Sequence, residues 1–313
     1  MMGNLSFHNR PVKVPPIKCQ GIKTKLVPFI FDSIKWESTN GARWIEPFLG
    51  SGSVALNLAP ERALVSDANP HIINFYKAIQ RNDINQSNVR EFLTLEGEKL
   101  AARGADYYYE VRERFNERGS PFDFLFLNRS CFNGVMRFNS QGRFNVPFGH
   151  KPQRFSRSYI TKIVNQIGWV SRVLCDRDWE FRAARWEETL SEAAPRDFVY
   201  LDPPYIGRHT DYYNSWTEAD AVKLASGAGN LSCGFALSMW MENRHRKNTH
   251  IDEHWSGLEK RVCRHFYHVG PSESLRNEMD EAIIIKPGYA APDQRKHLSG
   301  APQVKSQMRL SLE

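Results

Sequence analysis

The stretch FVYLDPPY, residues 198–205, sets a carboxylate, two prolines and an aromatic ring at the end of an apolar run. The apolar residues before Asp202 read as a buried strand. In open α/β sheets, the carboxyl ends of strands are where ligands bind. Pro203 and Pro204 carry no N–H, so their carbonyls stay available and the turn is stiff. Tyr205 offers a face for stacking. These groups together suit a planar amine. Asp202 and a proline carbonyl would accept the two N–H bonds of an exocyclic amino group, with Tyr205 against the ring. Acceptors arranged for an sp³ nitrogen draw its lone pair out of the ring and make it more nucleophilic. A Pro-Pro turn capping a strand is the plainer alternative, and an Asp directly ahead of the prolines argues against it.

A second constellation lies earlier. EPFLGSGSVALN puts Gly50 and Gly52 between a strand and a helix, where glycines let a ligand approach the backbone and the helix start favours polar or anionic groups. Asp67 ends the next strand, and a carboxylate there can accept both hydroxyls of a ribose. A dinucleotide fingerprint would place a third glycine at Ala55. Alanine is tolerated there in some such sites, so a nicotinamide cofactor stays open on this motif alone. GIKT at 21–24 lacks the spacing of a phosphate loop. His250 and His254 stand four apart, as a helical metal pair would, but no Glu directly follows His250. That segment reads as solvated or phosphate-facing, and no metal is expected.

The elements that must position these groups read as β-turn-α-β-α over the first 80 residues, the opening of a doubly wound α/β domain. Leu26, Ile30 and Ile34 have helical spacing, with Pro28 disturbing the start. PHIINFYKAIQ is a helix with Pro70 in its first turn. Residues 84–118 read as charged helix. Residues 121–155 are dense in Arg, Asn, Phe and Gly, and alternation around MRFNSQGRFNV predicts a hairpin turning near Ser140–Gly142. Helix resumes over 158–173. Strands follow in EFRAARW, DFVYLD, NLSCGFALSMW, LEKRVCRHFYHV and DEAIIIKPGY. Residues 1–17 are expected to be an extended arm and 291–313 a mobile tail.

Bulk composition narrows the class. The chain has 313 residues, 41% hydrophobic and 25% charged, enough for a sizeable core. A net charge of +7 favours a polyanionic partner. The five cysteines are scattered with no CxxC pair, so neither a zinc ribbon nor a disulfide framework is indicated. No apolar run reaches the length of a signal peptide core or a membrane span, and a reducing cytoplasm is the expected compartment.

DPPY, EPFLGSGSVALN and NRSCFNGVMRFNSQGRFNVPFG, together with the opening KCQGIKTKL and the closing EAIIIKPGY, resemble the Dam-type (D12 class) DNA adenine-N6 methyltransferases. The order of cofactor loop, recognition insert and catalytic turn is that of the α group. The resemblance implies a Rossmann-like S-adenosylmethionine-dependent methyltransferase fold with an inserted helical and β-hairpin target-recognition domain. Expected boundaries are 1–83 and 158–290 for the two catalytic parts, 84–157 for the insert and 291–313 for the tail. It implies S-adenosylmethionine held by Lys23, Glu46, Phe48, Gly50, Gly52, Asp67 and Asp202, with Lys23 near the methionine end. Asp202, Pro203, Pro204 and Tyr205 would be catalytic. The partner implied is double-stranded DNA with a flipped adenine, at GATC or another GA-containing site, within or outside a restriction–modification system. Arg129, Phe132, Asn133, Val135, Arg137, Asn139 and Pro147 would face DNA. Arg129, Arg137 and Arg143 supply donors, Phe132 is a candidate wedge, and Arg137 is the candidate for a bidentate guanine contact. The protein is expected to be a monomer in solution, with pairing on DNA left open. Two departures stand out: Cys19 replaces the usual aromatic and Ile22 a glycine, which shifts the weight of cofactor binding onto EPFLGSG. An RNA adenine methyltransferase and a catalytically idle DNA-binding regulator are the rival readings. Asp202 argues against a cytosine-N4 enzyme, which usually has Ser there.

Overall fold

A computed structural model describes residues 11–38, 41–204, 216–243, 248–266 and 278–292. The chain enters through residues 11–17, which lack regular structure but are tied down. Ile17 is fully buried, and the Val14 carbonyl accepts from Gln166 Nε2 at 3.0 Å. Helix α1, Val27–Ser33, takes Pro28 into its first turn. The proline therefore starts the helix rather than disturbing it, because the N–H it lacks has no helical acceptor there. Strand β1 (Trp44–Glu46), helix α2 (Ser53–Leu58), strand β2 (Arg62–Asp67) and helix α3 (Pro70–Gln80) follow. Pro70 lies in the first turn of α3, as the sequence predicts, and Asn69 caps the helix by accepting from the His71 N–H.

The charged stretch forms two helices, α4 (Gln86–Arg103) and α5 (Ala105–Arg118). They break at Gly104, whose φ is 58°. Residues 121–130 differ from expectation: α6, Pro121–Ser130, is a helix capped by Ser120, with every side chain from Asp123 to Ser130 buried. Arg114 holds the three helices together, bonding Glu96 of α4 at 2.8 Å and Asp123 of α6 at 2.5 Å. Burial pushes the Glu96 carboxyl up, but hydrogen bonds from Lys99, Tyr107 and Arg114 outweigh it and hold the group below the usual range.

After α6 the chain doubles back without forming a continuous hairpin. Single bridges join Cys131 to Phe148 and Phe138 to Phe144, and the turn falls at Asn139–Gly142, where the Gly142 N–H donates to the Asn139 carbonyl at 2.9 Å. Helix α7 (Arg157–Leu174), strand β3 (Asp178–Ala183), helix α8 (Trp186–Ser191), strand β4 (Phe198–Leu201), helix α9 (Glu218–Gly229), strand β5 (Gly234–Asn243), helix α10 (His250–His254) and strands β6 (Glu259–Phe266) and β7 (Glu278–Ile285) complete the order.

The strands form one sheet in the order β3-β2-β1-β4-β5-β7-β6. Neighbours from β3 to β5 are parallel, and β7 runs antiparallel between β5 and β6. This is a doubly wound, largely parallel α/β sheet with an antiparallel pair at one edge, as the Rossmann-like expectation requires. Central strands are covered on both faces, so β4 reads FVYL with all four residues buried, as expected for parallel sheets. One hydrophobic cluster runs from the sheet through α3 into α4, α5, α6 and α7. A second fills the opposite face between the sheet, α8 and α9. The strand order reverses direction between β1 and β4, and a crevice opens at their carboxyl ends. The glycine loop leaves β1 there, Asp67 ends β2 beside it, and Asp202 follows β4.

Candidate active site

These three segments line a cleft of about 670 Å³, with Lys23, Glu46, Phe48, Gly50, Asp67 and Asp202 among its walls. Cofactor pockets usually span about 300–1,000 Å³. Gly50 and Gly52 sit at φ 51° and 70°, in the left-handed region where other residues are strained. The Gly50 N–H donates to Asp67 Oδ2 at 2.8 Å, and the Asn69 N–H donates to Oδ1 at 2.8 Å. Asp67 therefore shapes the glycine loop as well as facing the cleft. Burial pushes its carboxyl up to about 6 against the pull of those two N–H bonds.

Lys23 is buried and its Nζ lies 2.8 Å from Asp202 Oδ1. It also donates to the Gly21 carbonyl at 3.1 Å. The Asp202 side chain is 20% exposed. Burial raises its pKa to about 6, with the Lys23 charge opposing the rise. At neutral pH Asp202 is a carboxylate, able to accept. Glu46 is different: burial raises it to about 8 despite the hydrogen bond from Trp44, whose Nε1 lies 3.0 Å from Oε2. Glu46 is mostly protonated at pH 7. Pro203 and Pro204 line the same cleft, and Tyr205 lies outside the described residues. Cys19 also lines it, and burial pushes its thiol up to about 12, so it enters the site as a small neutral group.

The loop after α6 reaches the cleft through Met136 and Ser140. Phe132 stands out from it at 49% exposure, on a backbone fixed by its own N–H donating to the Pro147 carbonyl at 2.9 Å. Asn133, Asn139 and Pro147 are exposed and Val135 half-buried. Asn139 Oδ1 accepts from the N–H groups of Gln141 and Arg143, each at 3.0 Å, so this side chain builds the turn. Arg137 is half-buried, and its Nε donates to Asn145 Oδ1 at 2.8 Å. Arg143 pairs with Glu113. Arg129 is set apart from this group: it is 4% exposed, on α6, bonded to Gln166 and stacked over Tyr159 at 5.7 Å. The fold puts it inside, not on the face that Phe132 presents.

The profile of the D12 class N6 adenine-specific DNA methyltransferases matches residues 20–267. The chain belongs to that family. The methyltransferase is 32% identical over 250 residues to the DNA adenine methylase of Serratia marcescens, covering 76% of this chain and 85% of that one. It is 30% identical to the DNA adenine methylase of Salmonella typhimurium, over 84% of this chain and 93% of that one. It is 31% identical to the type II methyltransferase M.MjaIII of Methanocaldococcus jannaschii, over 66% and 74%. Among solved structures, the rRNA methyltransferase aviRa of Streptomyces viridochromogenes is similar at 15% identity and a TM-score of 0.30, over 80% and 76%. That likeness is too loose to carry an argument.

Two aromatic residues of the methyltransferase's cleft have no motif of their own in the sequence. Trp186 opens α8 and stacks on Phe48, with centroids 6.4 Å apart. Trp216 meets Phe48 edge-on at 5.6 Å. Both line the cleft. Trp186 could have been suspected from its place directly after β3, at another carboxyl strand end. No helix of the described chain is long and apolar enough to cross a membrane.

Proposed function

We propose that this DNA adenine methyltransferase moves the methyl group of S-adenosylmethionine to N6 of an adenine flipped out of double-stranded DNA, within a short GA-containing site. The observation that carries the reading is the Lys23–Asp202 pair at the switch point of the sheet, facing the same cleft as the glycine loop. The residues fit the cofactor. Asp67 can accept the ribose hydroxyls, the Phe48–Trp186–Trp216 group can pack a purine face, and the glycine loop allows close approach.

The cofactor supplies an electrophilic methyl group when bound; the chain supplies position and acceptors. Lys23 orients Asp202 through Oδ1. The second carboxylate oxygen and a carbonyl of the Pro203–Pro204 turn are the acceptors we assign to the amine. Tyr205 is assigned the stacking role by its place in the motif. Segment 84–157 is assigned target recognition. Phe132 fills the gap left by the base, while Asn133, Val135, Arg137, Asn139 and Pro147 face the duplex. The exposed Phe132 on a basic loop supports duplex DNA over a single strand.

Labelled methyl transfer to a GATC duplex, to other GA-containing duplexes, to RNA and to a duplex lacking adenine tests the reading. Transfer to adenine in one duplex class is expected. Transfer to RNA alone, or none at all, would overturn it.

A further inference from the structure

Behind the catalytic turn lies a group of side chains that methyl transfer does not use. His250 and His254 project from one face of α10, with ring centroids 5.5 Å apart. The fold brings a third residue to them from far along the chain: Glu218, the first residue of α9. Glu218 Oε1 lies 3.1 Å from His250 Nδ1 and 3.7 Å from His254 Nε2. Glu253 Oε2 lies 3.9 Å from His254 Nε2. One ligand atom from each of the four residues falls within 4.8 Å of all the others.

The two ring nitrogens are the decisive feature. Both His250 Nδ1 and His254 Nε2 are shielded from solvent, and among the described residues neither makes a hydrogen bond of good geometry; the Glu218 carboxylate beside them is an ion-pair contact only. Buried polar atoms of this kind call for an explanation. A tetrahedral ion with nitrogen and oxygen ligands at about 2.0–2.2 Å holds its ligand atoms roughly 3.3–3.6 Å apart. The contacts to Glu218 straddle that spacing and the remaining separations stay within 4.8 Å, so one ion can reach all three atoms if the exposed Glu218 and the half-buried histidines adjust. Two imidazoles and a carboxylate suit zinc or a similar transition ion and disfavour calcium or magnesium, which take oxygen.

We propose that Glu218, His250 and His254 bind one zinc-like divalent transition ion, with Glu253 completing the set. The ion fastens α9 to α10. A small cavity lined by both histidines is also lined by Pro203, Pro204 and Trp216, so the clamp braces the wall behind the catalytic turn. Its role is structural, because none of its ligands lines the cofactor cleft. The start of α10 is itself anchored: Asn248 Oδ1 accepts from the His250 N–H at 3.2 Å, and its Nδ2 donates to the Trp240 carbonyl at 2.8 Å. The histidines are therefore presented on a fixed backbone.

The test is calorimetric titration of Zn²⁺ into the chelator-treated, untagged full chain, with the melting temperature followed in parallel and Mg²⁺ as the control ion. One Zn²⁺ per chain and a raised melting temperature are expected, since an ion bound only by the folded state stabilises it. Mg²⁺ should do neither. In Glu218→Gln, and separately in His250→Ala/His254→Ala, affinity should fall at least about tenfold and the thermal shift should vanish. Glu218 is exposed, so its variant reports on the site even if the double variant folds poorly. The proposal is overturned if the parent takes up no Zn²⁺ saturably, or if Glu218→Gln titrates as the parent does. No methylation is measured, so the outcome is independent of the proposed reaction.

Discussion

Lys23 Nζ and Asp202 Oδ1 stand 2.8 Å apart, joining the segment before α1 to the turn after β4 in the wall of the cleft. Removing the ammonium takes away the charge that opposes the burial of Asp202. Lys23→Ala is expected to raise the Asp202 pKa above its present value of about 6. The acid limb of the pH–rate profile should then move to higher pH if, as proposed, the carboxylate form of Asp202 accepts from the amine. Asp202→Ala should abolish transfer while DNA binding survives. An Asp202→Ala enzyme within about tenfold of the parent, roughly 1.4 kcal/mol, would remove Asp202 from the mechanism.

Asp67 is predicted to matter twice, as a ligand for the ribose and as the acceptor that shapes the loop at Gly50. Asp67→Ala should weaken S-adenosylmethionine binding by about 1–3 kcal/mol, the usual scale for losing a charged hydrogen-bond acceptor. Calorimetry with unchanged affinity would reduce Asp67 to a strand-end residue.

The parts of this fold that were legible in sequence are those with a local cause. The glycine turn, the Pro70 start of α3 and the apolar run into Asp202 each carry a short-range signal, and each lies where it was expected. Helix α6 was missed because it is buried on every side from Asp123 to Ser130, which erases the amphipathic period. Ser120 and Pro121 at its start are an N-cap and a first-turn proline, the local signal that marks where the helix begins. Arg129 was expected among the DNA donors from its charge and its place in the recognition motif, neither of which carries a sign of its burial. Trp186, Trp216 and Glu218 escaped because tertiary structure, not spacing along the chain, brings them to their partners.

Glu46 yields a prediction about pH. Burial places its folded pKa near 8, well above the ordinary value of about 4.3 for a free glutamate. A raised carboxyl pKa favours the protonated form in the fold. Its contribution to stability is complete below the unfolded pKa and is lost as pH rises through the folded one. Asp67 and Asp202, both near 6, lose theirs earlier on the same path. The parent protein should therefore become easier to unfold by urea as pH rises from about 4 to 8, with the stretch from about 6 to 8 belonging to Glu46. Glu46→Gln, which keeps the shape without the charge, should flatten that decline. A decline equally steep in the variant would show that Glu46 is not the group being ionised.

Arg137 and Arg129 should respond to alanine in opposite ways, although the sequence placed both in one DNA-facing set. Arg129 is enclosed, with its guanidinium on Gln166 and Tyr159. Burial presses its pKa down. Truncating it leaves a buried acceptor without its donor, which costs about 1–3 kcal/mol, so Arg129→Ala should lower folding stability and leave the base preference of the folded fraction unchanged. Arg137 is half-buried on the loop that carries Phe132, and Asn145 orients its guanidinium. Arg137→Ala should cost discrimination at one base pair, about 1–3 kcal/mol for a bidentate guanine contact, with little change in stability. The comparison uses three duplexes, a cognate, one with the guanine replaced and one of random sequence, each across a salt series. A phosphate contact behaves differently: its loss weakens every duplex alike and lowers the salt slope by about one unit. If Arg137→Ala weakens all three equally and the slope drops, Arg137 is an electrostatic anchor. Guanine reading would then pass to Arg143, which Glu113 holds at the edge of the same turn.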